Sequence, residues 1–413
     1  MARLRELQGG TLVVVNARGQ YCAGISTRGG EAPSQPPLEA TIVIHNDRFY
    51  SRALLGGDIG VGESYVDGEW TSPDLVSLIR LMIRNQALVE EHGGALRRLV
   101  RLAGGLARRC RDNSPAGSRR HIHEHYDLGN DFFRLFLDDS LVYSSAYYES
   151  GRETLEQAQQ KKLEAICTKL AIGPGDHVLE IGTGWGAFAV WAASRRGCRV
   201  TTATISEEQY RYACDWVSRL GEAGSRITVL LADYRTLQGR FDKVVSIEMF
   251  EAVGLNHYDE YFRAVDRLLR PNGSMLLQTI TVDEQHFPQY HGEADWIEKY
   301  IFPGGELASI GEILGSLQRV STLSLYHAEN FGSHYARTLH EWRARYRRQL
   351  DRVRAQGFSE RFIRMWDFYL ALCEAAFLER HTGVFQLVLN KNYSSATHFN
   401  EPWREAGAAA AVA

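Results

Sequence analysis

The 413-residue chain is 44% hydrophobic and 23% charged with a formal net charge of -3; this length holds core enough for one large or two medium domains, and the lack of a basic excess argues against wholesale nucleic-acid binding. Cys22, Cys110, Cys167, Cys198, Cys214 and Cys373 never fall at C-x-x-C spacing, which speaks against a zinc ribbon or a disulfide framework and for a reducing compartment, the cytosol by default. No apolar run reaches the roughly 20 residues of a membrane span, and residues 11–15 are too short and badly flanked for a signal peptide, so any membrane contact is expected to be peripheral.

From residue 1 to about 115 the pattern is α+β. Residues 41–45 read as a strand and 48–51 as a second extended piece, and Ser72-Pro73 opens a helix as N-cap and first position, with Leu75, Leu78, Ile79 and Met82 on one face. The glycine-rich run from Gly57 to Trp70 lacks the Lys-Ser/Thr of a phosphate loop and carries acids instead, so a structural turn is expected. The stretch 104–120, with Gly104, Gly105, Gly117, Ser114-Pro115 and five arginines, is the expected domain boundary. A solvated linker and a contact with acidic lipid head groups both fit its charge.

Residues 116–395 alternate strand and helix. Strands are expected at 177–182, 199–205, 227–232, 243–249 and 274–280, with helices at 187–195, 207–220 and 258–269 between them. That order predicts an α/β fold with a doubly wound, mostly parallel sheet. A late strand at 385–389 is expected on one edge, and 396–413 reads as a disordered tail, of low complexity from 408 to 413.

The chemistry begins at Val178-Leu-Glu-Ile-Gly182-Thr-Gly184-Trp-Gly186-Ala-Phe188. An apolar strand breaks into alternate glycines and then a helix, so backbone N–H groups can face a polar ligand at close approach. A dinucleotide site would place an acid about 20 residues on, at the end of the second strand; that strand ends Ala203-Thr204-Ile205-Ser206 instead. The pattern E-x-G-x-G-x-G resembles the class I, Rossmann-like S-adenosylmethionine-dependent methyltransferases, with Glu180 meeting the ligand ammonium. Ser206-Glu-Glu-Gln209 is a complete capping box, or Gln209 serves as ribose partner.

Further segments narrow the likeness: His125-Tyr-Asp-Leu-Gly-Asn-Asp-Phe-Phe133, Tyr143-Ser-Ser-Ala-Tyr147, Met249-Phe-Glu-Ala-Val-Gly254, Trp296-Ile-Glu-Lys-Tyr-Ile-Phe-Pro-Gly304, Asn330-Phe-Gly-Ser-His-Tyr335 and Phe368-Tyr-Leu-Ala-Leu-Cys373. Together they resemble the cyclopropane fatty acid synthases and mycolic acid methyltransferases across residues 121–392. The resemblance implies methyl transfer to the double bond of an unsaturated acyl chain, carried on a membrane phospholipid, through a carbocation that needs an apolar site and a base. Proton loss from the new methyl closes a cyclopropane; loss from a neighbouring carbon leaves a methyl or methylene branch.

The resemblance also implies site residues. Cofactor positions fall on Tyr143, Ser144, Glu180, Gly182, Thr183, Gly184, Trp185, Gly186, Thr204, Ile205, Ser206, Gln209, Asp233, Tyr234 and Ile247. The family's base is a bicarbonate ion held at positions that fall on Ser145, Glu251, Gln278, Ile280 and Tyr335. Ser145 and Gln278 replace the usual Cys and His, and Ala252 a common His, so either bicarbonate sits in a neutral cradle or Glu251 acts more directly. Cys373 matches a cysteine proposed for the family's active site, although its apolar helix suits a structural thiol. Leu339, Trp342, Tyr346, Leu350 and Val353 form a stripe flanked by arginines, which could lie on an anionic bilayer at the inner face of the membrane or pack on the core. A homodimer completes the expected partners.

Overall fold

The computed structural model describes residues 7–24, 36–86, 128–292 and 295–391. The expected boundary at 104–120, Cys110, the start of the His125 motif and the tail from 396 lie outside the described residues. The chain forms two compact units, each gathered from separate stretches: Met1–Leu137, Thr281–Ser309 and Phe331–Gly383 in the first, and Asp138–Ile280, Ile310–Asn330 and Val384–Ala413 in the second.

The first unit contains a four-stranded sheet in the order β2-β1-β3-β4, with β1 Gly10–Asn16, β2 Gly19–Gly24, β3 Leu38–Ile44 and β4 Trp70–Thr71. Alternation buries Leu38, Ala40, Ile42 and Ile44 of β3. Two local expectations give way here. Residues 48–51 start the helix Arg48–Val66 rather than a strand, and Gly57, Gly60 and Gly62 lie inside that helix, which kinks at Gly57 (φ 54°, ψ -136°), so the expected turn falls only at Asp67–Gly68. Glycine is needed there for packing as well: a Cβ on Gly62 would stand 2.5 Å from the Trp296 ring and 2.9 Å from Phe368. The next helix, Leu75–Arg84, is capped by Asp74 and not Ser72; Asp74 holds an extended backbone and its side chain accepts from the Ser77 N–H at 3.0 Å.

The stripe of Leu339, Trp342, Tyr346 and Val353 is buried in this unit, so it serves the core and not a bilayer. The chain breaks between the helices Gly332–Arg348 and Leu350–Ala355, and Arg343 also turns inward. Its guanidinium donates to both carboxylate oxygens of Asp367, at 2.8 and 3.2 Å, and the Tyr65 hydroxyl donates to Asp367 at 3.0 Å. Removing one partner of a buried pair strands the other charge. Asp367→Ala should therefore cost about 3–5 kcal/mol, seen as a lower urea midpoint.

The second unit is built on a seven-stranded sheet in the order β10-β11-β9-β8-β5-β6-β7. The strands are β5 His177–Ile181, β6 Arg199–Thr204, β7 Ile227–Leu231, β8 Phe241–Ile247, β9 Leu269–Val282, β10 Leu323–Asn330 and β11 Thr382–Lys391. Strands β9, β8, β5, β6 and β7 run parallel, and β10 pairs antiparallel with β11. Val178, Val200, Val245, Leu276 and Val388 pack with Phe188 and Ala192 in one buried cluster. This is the doubly wound, mostly parallel sheet expected. The late strand, however, lies one place in from the edge. The edge is β10, whose mixed Ser324, His327 and Glu329 hide it among polar residues. Strand order reverses at β5, where open α/β sheets form a ligand crevice at their carboxyl ends.

Candidate active site

The glycine loop leaves β5 at that switch point. Gly182, Gly184 and Gly186 take φ of 98°, 52° and 98°, values glycine adopts at little cost. A Cβ on Gly182 would press on Met249 at 3.0 Å and one on Gly186 on Ala213 at 3.3 Å, whereas one on Gly184 would meet no protein atom within 4 Å. Gly184 thus borders open space, next to the N-terminus of the helix Ala187–Arg196.

Glu180 is buried at the end of β5. The Thr202 hydroxyl donates to its Oε2 at 2.6 Å and, having one hydrogen, accepts from the Thr183 hydroxyl 2.7 Å away. Burial pushes this carboxyl up to about 8. A second buried charge, Lys162, donates to the Ser144 hydroxyl at 2.6 Å. Burial pushes its ammonium down to about 8, against the pull of Glu248, Asp138 and Glu180. Sequence reasoning missed Lys162. The signal was its place on the buried face of the helix Leu155–Lys169, in register with Leu155, Ala158, Leu163 and Ile166.

Ser206 caps the helix Glu207–Ser218, accepting from the Gln209 N–H at 3.3 Å. The return half of the capping box is replaced: Gln209 Oε1 accepts from the Thr204 hydroxyl at 2.8 Å, and Thr204 in turn accepts from the Ser206 N–H at 3.1 Å. The group Gln209 can offer a ligand is therefore its amide N–H. After β7, buried Asp233 accepts from the Arg235 N–H and Nε, both at 3.0 Å, and the Tyr234 hydroxyl is buried without a hydrogen-bond partner among the described residues. Tyr143, Ile205 and Ile247 are half-buried and Trp185 is buried. Apart from Tyr143 and Ser144, the expected cofactor residues all lie at or just after the carboxyl ends of β5, β6, β7 and β8.

The same end of the sheet carries two carboxylates. Glu248 follows β8 directly, in the left-handed region at φ 47°. Its Oε1 accepts from the Ser145 N–H at 2.9 Å and from Gln278 Nε2 at 2.7 Å. Gln278 Oε1 accepts from Gln386 Nε2 at 2.9 Å, and Gln386 Oε1 accepts from the Lys169 ammonium at 2.5 Å. Lys169 also pairs with Glu329, which accepts from the Tyr147 hydroxyl at 3.0 Å. An ammonium only donates, so Lys169 fixes both amides and aims the Gln278 N–H at Glu248. Glu251 Oε1 accepts from the Ile280 N–H at 2.6 Å and the Thr279 hydroxyl at 3.0 Å, while Oε2 is buried without a hydrogen-bond partner among the described residues. Burial first, and then the charge of Glu248, push the Glu251 carboxyl up to about 7.

Of the residues expected to hold the base, Ser145 and Gln278 therefore meet at Glu248, and Ile280 meets Glu251. Tyr335 lies in the first unit, on the helix Gly332–Arg348, its ring 4.6 Å from Phe377 and 6.0 Å from Trp342. Cys373 lies in the first unit on the helix Glu360–Leu378, where burial pushes the thiol well above its ordinary range and keeps it protonated. Glu248 was missed in the sequence, although an acid directly after an apolar parallel strand is a signal for the ligand end of such a sheet.

The sequence profile described as "Mycolic acid cyclopropane synthetase" matches residues 114–387. The chain is 38% identical over 371 residues to the cyclopropane-fatty-acyl-phospholipid synthase of Escherichia coli, covering 89% of this chain and 91% of that one. It is 36% identical over 378 residues to the tuberculostearic acid methyltransferase UfaA1 of Mycobacterium tuberculosis, covering 89% and 86%. The crystal structure of mycolic acid cyclopropane synthase CmaA1 complexed with SAH and CTAB superposes with a TM-score of 0.62 at 32% identity, covering 66% of this chain and 98% of that one.

Proposed function

The chain belongs to the mycolic acid cyclopropane synthetase family and is an S-adenosylmethionine-dependent methyltransferase, and we propose that it methylates the double bond of an unsaturated fatty acyl chain on a phospholipid, closing a cyclopropane. The observation that carries this reading is the pair of carboxylates, Glu248 and Glu251, gathered at the end of β8. Both are half-buried, and negative charge held where water is partly excluded stabilises a carbocation better than water-screened charge would.

S-adenosylmethionine supplies an electrophilic methyl group when bound. The glycine loop gives it close backbone approach at Gly184, the Gln209 amide is suited to ribose hydroxyls, and Glu180 to the ammonium. A methyl-branched product is the second reading, favoured by the likeness to UfaA1. Cells making the protein should gain fatty acids that carry one extra carbon on an unchanged chain length, and mass spectrometry distinguishes the ring from the branch. Identical lipid profiles in the two would count against the acceptor.

The acceptor lives in a bilayer. No described helix is long and apolar enough to cross a membrane, so we propose peripheral contact on the cytoplasmic side. The helix Arg48–Val66 exposes Tyr50, Leu54 and Leu55, an apolar group suited to a membrane surface, while Arg48 and Arg52 beside it pair with Glu69 and Asp67. Leu54→Asp with Leu55→Asp should lower co-sedimentation with phosphatidylglycerol vesicles about 10-fold. Unchanged sedimentation would remove this face from the account.

A further inference from the structure

The bicarbonate ion implied by the family likeness does not fit the donors present. The Ser145 N–H and Gln278 Nε2 both end on Glu248, the Ile280 N–H and Thr279 hydroxyl both end on Glu251, and the Ser145 hydroxyl donates to the Ala146 carbonyl at 3.1 Å. An added anion would find these donors taken and two carboxylates beside it. We infer that Glu248 is the chain's own base, its carboxylate standing where an exogenous anion would otherwise be held and taking the proton from the methylated acyl cation. The inference rests on the proposed acyl acceptor.

Three features support it. Glu248 keeps a left-handed backbone at φ 47°, a conformation unfavourable for a non-glycine residue and the kind of strain that survives at functional sites. Its carboxylate is aimed from two sides: by the backbone at Ser145 and by a side-chain amide whose orientation Lys169 enforces through Gln386. The neighbouring Glu251 has its carboxyl pushed upward by burial first and then by the Glu248 charge, so the two carboxylates stand close enough to act on one another.

In the step itself the alkene π pair forms the new C–C bond, the S–C pair leaves with sulfur, and the neighbouring chain carbon becomes cationic. Glu248 takes a proton from the new methyl, and the released C–H pair closes the ring. The resulting carboxylic acid returns that proton to water.

Glu248→Gly removes the carboxylate and relieves the backbone at the same position, while leaving the Ser145 N–H and Gln278 Nε2 free to hold an added anion. Wild-type enzyme should transfer methyl groups at the same rate in bicarbonate-depleted and bicarbonate-supplied buffer, and bicarbonate should not raise its unfolding temperature. Glu248→Gly should fall about 100-fold or more, recover at least about 10-fold with added bicarbonate or formate, and show a bicarbonate-dependent rise in unfolding temperature. Glu248→Gln, which fills the space, should fall equally and resist rescue. A wild-type enzyme that stops without bicarbonate, a Glu248→Gly variant at the parental rate, or a loss that no small carboxylate rescues would overturn the inference. A wild type that methylates no lipid at all would instead strike the acceptor on which it rests.

Discussion

A Gly184→Val chain should bind S-adenosylmethionine about 100-fold more weakly than the parent, yet unfold within about 1–2 kcal/mol of it. Of the three loop glycines, Gly182 and Gly186 are confined by Met249 and Ala213, so substituting them disturbs packing as well as binding. Gly184 is different: a Cβ there meets nothing within 4 Å among the described residues beyond its chain neighbours, in the open space beside the helix N-terminus. Its only intrinsic cost is the positive φ of 52°. Calorimetric titration of cofactor together with urea unfolding separates the two effects. Full affinity in Gly184→Val would mean that the cofactor does not approach this turn.

The second large effect is expected at Glu251. Glu251→Gln keeps the shape and an oxygen for the Ile280 N–H but removes a charge from beside the cation, and should slow methyl transfer about 100- to 1,000-fold. The pH dependence gives the sign. The carboxyl is raised from an ordinary 4.5 to about 7, so the parental rate should climb as pH passes about 7 and Glu251 ionises, an inflection the variant lacks. Stability should run the other way. A raised carboxyl binds its proton more tightly folded than unfolded, so that contribution is complete below about 4.5 and is lost as pH rises through about 7. At pH values above that window, Glu251→Gln should therefore unfold at a higher temperature than the parent while turning over far less lipid. A parental rate flat across the window would remove this charge from the mechanism.

Much of this was legible in the chain. The alternation of apolar strands with amphipathic helices carried the parallel sheet, and the spacing of Gly182, Gly184 and Gly186 carried the turn, because both follow from local backbone rules. What local rules could not give was partnership. The capping box at Ser206 was real in its first half, but Thr204, two residues upstream, claimed Gln209. The stripe through Trp342 and Tyr346 had the period of a membrane helix and of a core helix alike; burial decided for the core, and Asp367 across the unit explains the inward Arg343. In the sequence Gln278 is visible only as a replacement for the usual His, whereas its role is set by Gln386 and Lys169, more than 100 residues away in either direction. Glu248 looked like one acid among many until its left-handed backbone and two donors were in view.

The most direct test of the account is to incubate the purified protein with S-adenosylmethionine labelled in its methyl group and vesicles of a defined monounsaturated phosphatidylglycerol, then release and weigh the fatty acids. A labelled fatty acid heavier by one carbon and two hydrogens is expected, with the original double bond gone and a ring in its place. Unlabelled fatty acids, from protein shown in the same sample to bind the cofactor, would contradict it.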